Sequence, residues 1–277
     1  MHSSNGFILA YLLACIAAIA PASAFADSAA EMARKLQNPL ANIKALMTDN
    51  AIGFDTGTTG DTSFAFQLQP VYAVDMPDKG FTLIPRASIP VLGLEPGTDT
   101  PRTGQPASGT GSTWGLGDSI VQVFFAPYTE SKWKWGAGPQ VSIPTATDSA
   151  LEGPGWGVGV AGVLTGEITP EVTFAGLIAN HWGDNGGFNT MTLQPMLYYN
   201  LPNRSGESIS YNAVISADWE ASSSNRWTVP LGLSYSKTID LGDGHGLDFG
   251  GGPYYNVVRP DGAARWQIRF SVSWLLP

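Results

Sequence analysis

Cysteine is almost missing from this 277-residue chain. The only one, Cys15, sits in an apolar N-terminal run, so the chain beyond it has no disulfide scaffold, no cysteine zinc site and no thiol nucleophile. Basic residues are scarce as well. Lys and Arg number 14 against 23 Asp and Glu, for a net charge of −9, and no cluster of them could displace counterions from phosphates, so nucleic acid is not a partner. Charged residues of both signs make up 13% of the chain, about half the usual share of a soluble domain. No apolar run reaches the ~18 residues of a transmembrane helix, which leaves strands as the only spanning element. What is abundant is Gly (33), Pro (20) and Trp (9).

Phe7 to Ala20 is unbroken and apolar, and Ala24 and Ala26 form an A-x-A site before Asp27, so residues 1–26 read as a cleaved signal peptide. Leu12, Leu13, Ala14 and Cys15 also resemble a lipobox, although Ile16 to Ala20 prolong the apolar run past the cysteine. Asp27 to Asn42 follows with Ala29, Met32, Leu36 and Leu40 at helical spacing and Pro39 as a breaker, a short amphipathic helix that rests on the periplasmic rim, meets a partner, or enters a lumen as a plug with Glu31, Arg34 and Lys35 toward inward Gln and Arg residues and its apolar stripe over the mouth.

From residue 43 the apolar period falls to two, the mark of strands with unlike faces. Trp266, Ile268, Phe270, Val272 and Trp274 alternate with Gln267, Arg269, Ser271 and Ser273, and Phe64, Phe66, Leu68, Pro70 and Tyr72 alternate with Ser63, Ala65, Gln67 and Gln69. Runs of this kind fall near 43–54, 62–75, 80–92, 114–127, 131–144, 155–166, 170–182, 188–200, 207–219, 225–237, 246–258 and 264–276. Twelve long strands, joined by connections that alternate between tight and long, predict an all-β fold. It is a transmembrane antiparallel up-and-down β-barrel over 43–277, with the long loops outside and 93–113 the most mobile of them. A secreted β-sandwich or lipocalin-like barrel is the competing fold.

The tryptophans sit at strand ends: Trp114, Trp156, Trp182, Trp219, Trp227 and Trp266 at the loop side, Trp133, Trp135 and Trp274 opposite. Indole rings at headgroup level form an aromatic girdle. Pro70, Pro85, Pro139, Pro195 and Pro230 each remove a ladder hydrogen bond and predict bulges or kinks.

Chemical motifs are few. Gly157, Gly159 and Gly162 lie in a strand pattern with no helix after them, so they serve close packing or curvature rather than a dinucleotide, and no cofactor or metal is expected. His181 and His245 are the only histidines beyond the signal, and neither reproduces the His, Ser, Asn set of outer-membrane phospholipases; His181 reads as a rim residue. Gln67, Gln69, Arg86, Gln122, Lys134, Gln140, Gln194, Gln267 and Arg269 are the inward polar candidates. They either line a solute path or bond to one another in a sealed lumen.

Several stretches, in order, resemble a known family: Leu36 to Pro39, Gly115 to Asp118 (GLGD) before Phe124 and Phe125, Gly138 and Pro139, and Pro144 to Asp148 (PTATD). Ala179 to Trp182 (ANHW), Leu193 to Pro195 (LQP), Arg226 to Pro230 (RWTVP), Trp266 to Phe270 and a terminal Leu275, Leu276, Pro277 complete the set. The chain is similar to the bacterial outer-membrane family named for the MetA pathway of phenol degradation, whose members are often labelled "transporter" or "neuromedin U". The resemblance implies a barrel in the Gram-negative outer membrane passing small solutes, aromatic ones included, without established catalytic residues. Its expected partners are outer-membrane lipid, a small-molecule solute and the barrel assembly machinery. That machinery usually reads a terminal aromatic residue, whereas this chain runs past Trp274 to Pro277. A sealed structural or sensing barrel and an outer-membrane hydrolase are the other readings.

Overall fold

The computed structural model describes residues 22–57, 60–94, 112–185 and 187–277. Most of the expected signal and of the loop at 93–113 lies outside them. The period-two runs become twelve antiparallel passes: β1 (Lys44–Thr56), β2 (Asp61–Tyr72, resuming at Val74–Met76), β3 (Phe81–Leu94), β4 (Thr113–Leu116 and Ser119–Pro127), β5 (Trp133–Ile143) and β6 (Gly157–Glu167). They continue as β7 (Val172–Gly183), β8 (Asn189–Asn200), β9 (Glu207–Asn212 and Ile215–Asp218), β10 (Trp227–Gly232 and Ser234–Gly242), β11 (His245–Val258) and β12 (Trp266–Leu276). Each pairs with its sequence neighbours, and β12 returns to β1 from Lys44↔Leu276 to Phe54↔Trp266, so the sheet closes and has no free edge.

Closure gives alternate residues opposite fates. The outward set is apolar: Val158, Val160, Ile178 and Leu233 are 52–62% exposed, as befits side chains whose solvent is lipid. At one end the connections are tight, down to the two residues between Gly242 and His245, and both ends of the described chain lie there. At the other end, the loop end, lie longer connections among the described residues, around 144–156, 219–226 and 259–265; the end with the tight connections is the turn end.

The prolines behave differently from the expectation. Only Pro230 coincides with a shift of register. Pro70, Pro139 and Pro195 leave gaps in the pairing toward β3, β4 and β9, yet register is identical on either side of each gap. A missing N–H interrupts the ladder locally, and the bonds that flank it hold the strand in place.

The helix α1 (Ala22–Gln37) begins before the expected Asp27 and ends before Asn42. Its buried face carries Ala29 and Ala33, and Met32 and Leu36 pack on Ile43, Ala45, Met47 and Leu275 inside the turn-end mouth. Arg34 donates to the carbonyl of Pro170 and Gln37 bonds Asn200, fastening the helix to the β6–β7 and β8–β9 turns. Leu40, beyond the helix, enters an apolar cluster of inward residues that includes Ile84, Phe124, Val163, Leu177 and Met196. The apolar stripe thus turns into the lumen, while Glu31 and Lys35 pair on the exposed side. That arrangement reverses the expectation that the charged face would meet the lumen, because half of the lumen wall is itself apolar and rewards burial.

Candidate functional site: the barrel lumen

The register places all nine polar candidates on the inward face. Gln67, Gln69 and Arg86 form one chain: Arg86 Nη2 donates to Gln69 Oε1 at 3.2 Å, and Gln69 Nε2 to Gln67 Oε1 at 2.6 Å. Arg269 Nη2 lies 2.8 Å from both carboxylate oxygens of Asp49, with its guanidinium 5.8 Å from the Tyr254 ring. Gln194 donates to Asn212 and Gln267 to Asn256. Lys134 lines a polar crevice between the helix and the rim, together with Glu31, Lys35 and Glu167. These groups line part of the lumen. The apolar cluster lines the rest, so the wall is two-sided rather than uniformly polar.

A second polar chain runs toward the loop end. Gln122 Nε2 donates to Gln140 Oε1 at 2.5 Å, and Gln140 Nε2 contacts His181 Nδ1 at 3.0 Å. His181 Nε2 is 2.9 Å from Ser142 Oγ, which donates to the carbonyl of Gly155 at 2.8 Å. His181 is 4% exposed, so it belongs to the inner wall and not to the rim. Period two already hinted at this, because Trp182 faces outward and its neighbour must face in. The glycines make the approach possible. A Cβ on Gly157 would stand 2.7 Å from His181 Nε2, and one on Gly159 would stand 2.6 Å from Gln140 Nε2.

The directions of these bonds decide what Ser142 can do. Gln140 Nε2 also donates to the carbonyl of Asn180, which fixes its amide, so Nδ1 of a neutral His181 accepts and the ring proton sits on Nε2. His181 then donates to Ser142, the reverse of what a general base does for a serine nucleophile.

One loop at the loop end is held by a feature with no periodic signal. Trp114 and Leu116 of β4 face outward, but Gln122, Phe124 and Ala126 of the same strand face inward, so the alternation slips by one at Gly117–Asp118. At this bulge the Asp118 carboxylate accepts the backbone N–H of Ala146 (3.1 Å), Gly153 (2.9 Å) and Gly155 (2.7 Å). Thr145 Oγ1 donates to the carbonyl of Gly117, and Thr147 exchanges bonds with the backbone of Leu116. The GLGD and PTATD stretches are therefore one structure. They seat residues 144–156, with Leu151 fully buried, against Gly115 and Gly117 at the loop-end mouth.

The tryptophans sit where the spacing put them. Trp114, Trp182, Trp227 and Trp266 stand at the loop-end limits of their strands and Trp156 and Trp219 just outside β6 and β9, with Trp133, Trp135 and Trp274 at the turn end. Trp114 lies over Gly93 beside Phe64, and Trp133 lies over Gly166 beside Phe174, each ring covering backbone that glycine leaves bare.

Between the helix and these polar chains is a cavity of about 150 Å³. Its wall joins Arg86, Gln69, Asp49 and Arg269 to Leu177 and Met196.

No protein-family model matches the chain, and no curated protein matches it in sequence. Solved structures do. An outer membrane channel from Pseudomonas putida F1 superposes with a TM-score of 0.62 at 14% identity, over 85% of this chain and 96% of the channel. The NanC porin superposes at 0.50 and 11% identity, over 84% and 99%. The chain thus has the fold of outer-membrane channel barrels, along nearly their whole length.

Proposed function

We propose that the chain is a passive outer-membrane channel for small solutes, made with a cleaved signal over residues 1–26 and inserted by the barrel assembly machinery. The observation that carries this reading is the cavity inside the two-sided lumen. A sealed barrel can fill its interior with side chains bonded to one another, as several of these polar residues are, whereas here space wide enough for a small molecule is left beside them. The resemblance to the phenol-pathway family and the fold shared with outer-membrane channels support the same reading. Loops 144–156, 219–226 and 259–265 face the exterior, the turn end faces the periplasm, and the nine tryptophans form girdles at the two headgroup levels. Half-apolar walls suit solutes with an apolar body, aromatic ones included. The orientation of the His181–Ser142 bond favours a channel over a hydrolase.

The packing of α1 at the turn end and the pinning of the 144–156 loop at the other favour a second reading, in which the two seal a structural barrel. Ion current through the purified protein in a planar bilayer separates the two. A channel gives discrete conductance steps and a sealed barrel gives none.

A further inference from the structure

We propose that the lumen cavity is a binding site for a small apolar carboxylate, with Arg86 taking its charge. The inference deepens the channel reading by naming the solute class, and rests on it for the solute's route but not for binding.

Two guanidinium groups face this cavity, and they are in different states. Arg269 is neutralised at contact distance by Asp49, whose two oxygens both lie 2.8 Å from its Nη2. Arg86 has an amide for its one bonded neighbour, at 3.2 Å, and its Nε is buried without an acceptor. The other carboxylate of the cavity, Asp248, accepts from Thr238 at 2.8 Å. Asp49, bonded to Arg269, acts on Arg86 only through space; a buried cation with no carboxylate in contact is costly to the fold, and its forked donors match the two oxygens of a carboxylate. Val71, the register partner of Arg86, together with Leu177 and Met196, supplies apolar wall beside it. The cavity of about 150 Å³ matches one benzene-sized ring. An anion here would meet apolar surface for its body and, for its head, a fork with no carboxylate in contact.

The test titrates benzoate, and its neutral analogue benzamide, into the purified full-length protein in detergent by calorimetry, with the same solutes added to bilayer recordings. Benzoate is expected to bind at least tenfold more tightly than benzamide and to interrupt the current. Arg86→Gln should abolish that preference, and Arg86→Lys, which keeps charge but loses the fork, should retain part of it. Equal binding of the two solutes, no binding of either, or an unchanged preference in Arg86→Gln overturns the proposal. Should Arg86→Gln fail to fold, the wild-type comparison and Arg86→Lys still decide. Benzoate binding without any conductance would uphold the site and defeat the channel reading, whereas conductance that ignores benzoate would do the opposite.

Discussion

The Asp118 carboxylate holds the backbone N–H of Gly155 at 2.7 Å, across 37 residues of sequence. With the N–H groups of Ala146 and Gly153 on the same carboxylate, it ties both arms of the 144–156 loop to the bulge in β4. Bonds to a charged acceptor contribute about 1.5–3 kcal/mol each when intact, more than neutral ones. Asp118→Ala should therefore free the loop while leaving the barrel closed. Limited proteolysis of the folded protein should cut within 144–156 in the variant and spare the wild type. Equal protection would show that the loop is held by other contacts.

The outward face should obey lipid and the inward face water. Val272, near the middle of β12 and outward, should cost about 2–4 kcal/mol when replaced by arginine, with Ile268→Arg costing less because it lies beside the Trp266 headgroup level. Gln267→Arg, which points into the lumen beside Asn256, should be mild. Urea unfolding of the protein in lipid vesicles measures all three. A cost for Gln267→Arg as large as for Val272→Arg would contradict the assignment of faces.

Strands were legible in the sequence because a two-faced wall between lipid and lumen imposes period two on every pass. That pattern places Arg269 and Gln267 on the inner face and Trp266 at a strand end, as the structure does. It could not show that GLGD breaks the alternation, because the bulge exists to serve Asp118, whose partners lie far along the chain. Nor could it show the apolar half of the lumen. Ile84, Phe124, Leu177 and Met196 are inward yet look like any outward residue, since period two tells that faces differ and not which one meets lipid. The position of His181 is hidden for a related reason: proximity to Trp182 in sequence suggests the rim, whereas alternation sends its ring inward.

The helix should govern access from the turn end. Met32 and Leu36 seal against Ala45, Met47 and Leu275, and Leu40 reaches the apolar cluster, so removing residues 27–40 behind an intact signal takes cover off the mouth without removing a strand. Antibiotic permeability of cells carrying the deletion should rise above that of cells carrying the full chain, at equal amounts of assembled barrel. Unchanged permeability with normal assembly would leave the segment as a tether.

Passage of solutes through the lumen is read out by single-channel recording of the purified full-length protein in a planar bilayer. Small, discrete conductance steps are expected from the intact chain and larger ones after deletion of residues 27–40. A bilayer that stays silent with both proteins, each verified as folded barrel, would contradict it.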